Sequence, residues 1–127
     1  MNFSASPKPT SAELELLRTL WHTGPATAKQ VHEHLLPERP DLSYANVLRL
    51  LQIMHGKGLL LRDESQRSHV YAPAQEQGSM QTSLVRDLIN KVFAGSGKAL
   101  VLTALRSGQL SASERAEIES LLKDKPE

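Results

Sequence analysis

The fold class that the sequence predicts is mainly α with one small β-hairpin, and three observations predict it. Apolar residues recur at helical spacing in blocks that begin at Ser or Thr and stop at Gly or Pro. One pair of short strand-like runs, Leu59 to Asp63 and His69 to Ala72, flanks the polar turn Glu64-Ser65-Gln66-Arg67-Ser68. Beyond a polar break, AQEQGS, the C-terminal third returns to helical periodicity.

Each element follows in order. Met1 to Pro9 is rich in Ser, Pro and Lys and reads as a flexible tail. Thr10 or Ser11 can cap a first helix, with Glu13 placing negative charge in its first turn; Leu14, Leu16, Leu17, Leu20 and Trp21 give its apolar side, and Gly24-Pro25 ends it. Ala26-Thr27 is short and extended. Thr27 can cap a second helix holding Ala28, Val31, His32, Leu35 and Leu36, closed by Pro37 and Pro40 in a polar loop. Ser43 is the N-cap of a third. At about 100° per residue, Val47, Leu50, Leu51 and Met54 share one narrow stripe. Ala45, Arg49, Gln52 and Gly56 fall opposite it, with Asn46 and Ile53 at its flanks. Lys57-Gly58 is a C-terminal signal, a cation in the last turn and then glycine. Pro73 ends the second strand.

In the last third, Met80, Leu84 and Leu88 make one stripe; Val85, Ile89 and Phe93 make a second, and Val92 lies between. About half of that helix is apolar, wider than one core contact requires. Gly95-Ser96-Gly97 precedes Lys98 to Leu105, which is apolar nearly all round. A capping box, Ser111 to Glu114, opens a last helix with Ile118, Leu121 and Leu122 directed inward. Helix, short strand, helix, helix, hairpin and three further helices make a winged helix-turn-helix followed by a helical extension. The expected boundaries are a tail at 1–9, a winged helix DNA-binding domain at 10–75 and a helical dimerisation region at 76–127.

Composition bounds the function. The chain of 127 residues carries a formal net charge of +1, which neither demands nor excludes a nucleic acid. With one Trp and 4% aromatic residues its core is aliphatic, and without Cys it has no disulfide, thiolate metal site or thiol nucleophile. No apolar run is long enough to span a bilayer, and the first ten residues lack the apolar stretch of a secretory signal, so a cytoplasmic protein with no membrane partner is expected. Neither a glycine-rich phosphate loop nor a Ser/His/acid arrangement stands out, which argues against an enzyme. The five histidines are scattered; His32 and His34 are two apart on a helix and face different sides. No metal and no cofactor are expected.

Taken alone, Ser43 to Gly58 reads best as an ordinary amphipathic surface helix. Its neighbours change that reading. The preceding helix sits at helix-turn-helix spacing, and the hairpin carries Arg67 at its tip with Arg62 and His69 nearby. From Ser43 to Ala72, Arg49, Lys57, Arg62 and Arg67 stand against Asp63 and Glu64, a local balance of +2. A recognition helix offering Ser43, Ala45, Asn46, Arg49, Gln52 and Ile53 to the major groove is therefore expected, with a wing offering Arg62, Arg67 and His69 to the DNA backbone. Arg49 can bond a guanine edge, Asn46 or Gln52 an adenine or a phosphate, and Ala45 or Ile53 can meet a thymine methyl.

The doubled stripe implies a partner subunit, one stripe packing on the chain's own last helices and the other on the mate. The expected interface is Met80, Leu84, Val85, Leu88, Ile89, Val92, Phe93, Leu100 and Leu121. The whole reads as a homodimeric, sequence-specific DNA-binding protein on a palindromic double-stranded site. The alternative is a winged-helix protein-interaction module that has lost DNA binding, for which the near-neutral charge argues.

The residues also resemble a known family. TSAELELLRTLW, ATAKQVHEHL, SYANVLRLLQIMHGKGLL, SHVYAPA, SLVRDLINKVFAGSGKALVLTAL and LSASERAEIESLLK stand in the order seen in the penicillinase and methicillin-resistance repressors, the BlaI/MecI group, with the copper-responsive CopY repressors as relatives. The resemblance covers nearly all of residues 10–125. It implies a homodimeric winged-helix repressor that covers a promoter and dimerises through its C-terminal helices. Some members are inactivated by proteolysis after a membrane sensor detects a β-lactam, so an upstream sensor or protease, unidentified by these residues, is a further partner it raises. Two features depart from the group. The Cys motif of the copper-responsive members is absent, and Thr103-Ala104 stands where the cleaved members carry Asn-Phe after LVL. The third helix departs as well: the group's Thr-Val-x-Thr-Leu and Arg-Leu-x-x-Lys-Gly are Asn46 to Leu50 and Ile53 to Gly58 in this sequence. Inner apolar positions are kept and outward ones changed, which implies the same docking on a different operator.

Overall fold

The computed structural model describes residues 8–124, so the expected tail lies almost wholly outside the described residues. Its elements are α1 (Ser11–Thr23), β1 (Ala26–Thr27), α2 (Ala28–Leu35), α3 (Tyr44–Gly56), β2 (Leu60–Asp63), β3 (Val70–Pro73), α4 (Gln77–Val92), α5 (Gly97–Arg106) and α6 (Ala112–Asp124). This is a mainly helical winged helix-turn-helix with a small antiparallel sheet.

The first three helices begin where side chains satisfy the free N–H groups of a first turn. At α1 the Thr10 hydroxyl accepts from the Glu13 amide at 3.2 Å, and Glu13 Oε1 accepts from the Thr10 amide at 2.9 Å. Thr27 and Gln30 repeat this box at α2, and Ser43 caps α3 by accepting from the Asn46 amide at 3.1 Å. The exit of α3 is a Schellman turn: the Gly58 amide donates to the His55 carbonyl and the Leu59 amide to the Met54 carbonyl, with Gly58 at a φ of 84° that a side chain would disfavour. That turn engages the Leu59 amide, so β2 begins at Leu60, one residue later than the apolar run suggests.

β3 is the central strand. It pairs antiparallel with β2 from Leu60↔Pro73 to Asp63↔Val70. It also takes β1 on its other edge, Ala26 opposite Tyr71, so the hairpin is the larger part of a three-stranded sheet. Leu16, Leu17, Leu20, Val31, Val47, Leu51, Met54 and Tyr71 form the best-buried core. Leu50, expected in the inner stripe of α3, is only half-buried.

The chain divides into two compact units, Met1–Thr82 and Ser83–Glu127. The boundary falls inside α4, beyond the division expected at residues 75 and 76. The segment just before α4 and its first turns belong to the winged unit: Trp21 Nε1 donates to the Gln75 carbonyl at 3.0 Å, and Met80 is buried. In the second unit no residue from 83 to 124 is buried. Leu121 and Leu122, expected to point inward, are 67% and 71% exposed. Leu84, Ile89, Phe93, Leu100 and Ile118 are half-buried, so the stripes of α4 and the last helices are only partly covered within the chain. Among the described residues no single helix is long and apolar enough to cross a membrane.

One ion pair ties the winged unit together. Lys57, the residue that closes α3, donates to Glu13 Oε1 at 2.7 Å, and the Glu13 side chain is 3% exposed. Burial pushes the Glu13 carboxyl up, but hydrogen bonds from Lys57 and Thr10 and the charge of Lys57 outweigh it and hold the group below its ordinary 4.5. A depressed carboxyl contributes stability that is fully present above its unfolded value and is lost as pH falls through the folded one. Lys57→Met, which strands the carboxylate, is expected to cost about 2–3 kcal/mol at pH 7 in urea unfolding, somewhat under the usual cost of breaking a fully buried pair because Lys57 is partly exposed. The difference from the parent should shrink as pH falls through the lowered value at which Glu13 takes up its proton. An equal difference at pH 3 and pH 7 would show that the ion pair is not its source.

Candidate nucleic-acid interface

The outward surface of α3 is set by its inward one. With Val47, Leu51 and Met54 sealed in the core, Ser43, Ala45, Asn46, Arg49, Gln52 and Ile53 are all exposed. Ile53 is an exposed large apolar side chain at 41%. No carboxylate among the described residues pairs with Arg49. Such a face offers a bidentate cation, two amides, a hydroxyl and two apolar groups, the inventory that reads base edges and phosphates in a major groove. The Ser43 hydroxyl accepts from the Asn46 amide and keeps its own proton to donate outward.

The turn leading into α3 is fastened from both sides. His32 Nε2 lies 2.8 Å from the Leu42 carbonyl, and Arg39 Nη1 pairs with Glu15 Oε1 at 2.6 Å. The His32 and Tyr44 rings meet edge to face with centroids 6.3 Å apart. These contacts hold the start of α3 against α2, giving the exposed face a fixed bearing.

The wing is less uniformly basic than its sequence count. Arg62 lies against Glu64, Nη2 to Oε2 at 2.6 Å, and is half-buried. Its guanidinium holds the Glu64 carboxyl below the usual carboxylate range. The Ser65 amide, donating at 2.9 Å, does the same for Asp63. Both acids therefore stay ionised at neutral pH. Lys57 is engaged by Glu13. Of the four cations counted from sequence, Arg49 and Arg67 alone lack a carboxylate partner among the described residues; the expected local surplus of +2 overstated what faces solvent. Arg67 is exposed in the turn between β2 and β3, and His69 is half-buried at its exit.

A cleft of about 210 Å³ lies between the first turn of α2, the flank of α3 and residues 67–69 of the wing. It brings Gln52, Arg67 and His69 together with Lys29, Tyr44 and Ser68, which sequence reasoning left out. The available signal was positional: Lys29 and Tyr44 stand in the first turns of capped helices. Elsewhere, the His22 and His34 rings lie 5.7 Å apart, and among the described residues no three His, Asp or Glu side chains gather in a way that holds a metal ion.

A family model described as Penicillinase repressor matches residues 9–124. Among similar proteins, the transcriptional regulator BlaI of Mycobacterium tuberculosis is 36% identical over 117 residues, covering 76% of this chain and 83% of its own. The methicillin resistance regulatory protein MecI of Mammaliicoccus sciuri is 27% identical over 116 residues, with 91% and 94% covered. The penicillinase repressor of Bacillus licheniformis is 25% identical over 121 residues, with 93% and 91% covered.

The cap that starts α3 can be tested without any ligand. Ser43→Ala should lower stability by about 1 kcal/mol and Ser43→Asp should restore most of it, read by thermal melting. An unchanged melting temperature for Ser43→Ala would mean that the cap does not set the start of α3.

Proposed function

The chain belongs to the penicillinase repressor family, and on that premise we propose that it represses transcription as a homodimer on a palindromic operator. In this reading α3 enters the major groove with Ala45, Asn46, Arg49, Gln52 and Ile53 toward base edges, and Ser43 and the wing meet phosphates. The observation that carries it is the two-sided α3: three core side chains lock its inner face while its outer one is polar, exposed and free of carboxylate. Within the wing, Arg67 is the principal backbone contact and His69 its neighbour. Arg62, held by Glu64, acts chiefly in shaping the turn.

The dimer reading is supported by the second unit. Val85, Leu88, Val92, Val101, Leu102, Leu121 and Leu122 are exposed there, and Leu84, Ile89, Phe93 and Leu100 are half-buried. A helical unit in which no residue from 83 to 124 is fully buried has an apolar surface to cover, and a second copy covers it symmetrically. Met80 has no surface to contribute and leaves the interface set, whereas Val101, Leu102 and Leu122 join it. The division of labour is then a DNA-binding winged unit and a helical dimerisation region. Two such units present their α3 helices about 34–36 Å apart, or a multiple of that, so the operator half-sites should be spaced by whole turns.

Arg49→Ala should cost about 1–3 kcal/mol on a duplex selected from a random pool and relax preference at one base pair. Arg67→Ala should weaken binding to selected and scrambled duplexes alike. Fluorescence anisotropy with both duplexes checks this, and unchanged affinity in both variants would overturn the docking. Leu88→Asp combined with Val92→Asp, both exposed positions, should convert a dimer into a folded monomer in sedimentation velocity at micromolar concentration. A parent protein that already sediments as a monomer would overturn the dimer.

A further inference from the structure

Two histidines that lie far from the outward face of α3 in sequence meet in the fold. His22 stands in the last turn of α1 and His34 in the last turn of α2, and their ring centroids are 5.7 Å apart with the planes tilted by 49°. Among the described residues no hydrogen bond or ion pair engages either ring, whereas His32 Nε2 lies on the Leu42 carbonyl. Both rings are exposed, yet the backbone beneath them is fixed. Leu20 precedes His22 by two positions, Val31 and Leu35 stand on either side of His34, and all three are buried.

The two rings share a cleft of about 380 Å³ with Glu15, Arg18 and Glu38. Glu15 is neutralised by Arg39 at 2.6 Å, and no cation among the described residues pairs with Glu38. Arg18 and Glu38 offset each other, so the cleft has no net positive charge to repel a cation. An imidazole nitrogen binds zinc at about 2.0–2.1 Å, and once each ring's radius is added, two rings on one ion have centroids roughly 5–6 Å apart. The spacing of His22 and His34 already meets that requirement, on helices that the core holds still.

We propose that His22 and His34 together hold one divalent transition-metal ion of the zinc or nickel class, tying the end of α1 to the end of α2. Imidazole suits such ions, while magnesium and calcium prefer oxygen ligands. The chain supplies two ligands, because no third His, Asp or Glu among the described residues gathers with them, and water completes the coordination. Glu38 supplies counter-charge. The ion stiffens α2, against which the start of α3 is held, and it acts on the stability of the winged unit whatever α3 binds.

Melting of the untagged full chain in zinc, nickel or magnesium chloride, each against EDTA, tests the site, with stoichiometry read by titration calorimetry. The parent should melt roughly 5–10 °C higher at about tenfold excess of free zinc or nickel over its dissociation constant. One ion should bind per chain, and magnesium should give no shift. His22→Gln and His34→Gln should each melt with the parent in EDTA, since both rings are exposed, and each should lose the metal shift. His55→Gln, read against its own melting in EDTA, should keep it. No shift and no heat of binding up to about 1 mM zinc and nickel would overturn the inference. A shift that survives in either His22→Gln or His34→Gln would overturn it as well, because the ion would then be held elsewhere.

Discussion

A single carboxylate oxygen holds the winged unit in register. Glu13 Oε1 accepts the Thr10 amide, which starts α1, and the Lys57 ammonium, which ends α3, at 2.9 and 2.7 Å. Burying a charge is costly unless it is paired and hydrogen-bonded, and here both conditions are met by groups from opposite ends of the helix-turn-helix. The rest follows from that tie. With its last residue anchored and its first turn capped by Ser43, α3 cannot roll, and its outer face stays outer. The Schellman turn at Gly58 then delivers the chain into β2, so the wing springs from the same fixed point. The groups that would read a groove and the groups that would rest on phosphates thus share one rigid frame.

Much of this frame is legible in the sequence because it is local. Thr10, Thr27 and Ser43 announce three helices by chemistry confined to one turn, Gly24 and Gly58 mark their ends, and the stripe of Val47, Leu51 and Met54 shows which way α3 faces. What escaped is what depends on distant partners. Lys57 reads as a cation closing a helix and counts toward a basic patch, yet its partner lies 44 positions earlier. Ala26-Thr27 reads as extended, but its pairing with Tyr71 needs the sheet to exist first. Met80 fits the periodicity of an exposed stripe and is nonetheless buried, because hydropathy spacing reports the direction a residue faces and not what waits there.

The candidate interface was legible in its helix and less so in its wing. Outward positions on α3 follow from geometry once the inner stripe is known. The charge of the wing does not follow from a count, since Glu64 sits close enough to occupy Arg62 and leaves Arg67 as the exposed cation of the turn. The near-neutral total charge of +1 is compatible with a DNA partner for the same reason: placement, and not sum, decides the field at a surface. The second unit makes the complementary point, because no residue from 83 to 124 is buried and its apolar side chains stay partly or wholly uncovered.

In the proposed docking α3 enters the groove while the wing lies on the flanking backbone. Since the chain contains no cysteine, Gly56→Cys at the end of α3 and Gln66→Cys at the wing tip can each carry a single DNA-cleaving iron chelate. Gly56 has open space where a side chain would go, with nothing within 4 Å, and Gln66 is exposed. On a duplex selected by the protein, cleavage from position 56 should fall inside each half-site and cleavage from position 66 outside it, the two patterns related by twofold symmetry. Coincident cleavage from both positions, or even cutting along the whole duplex, would contradict the account.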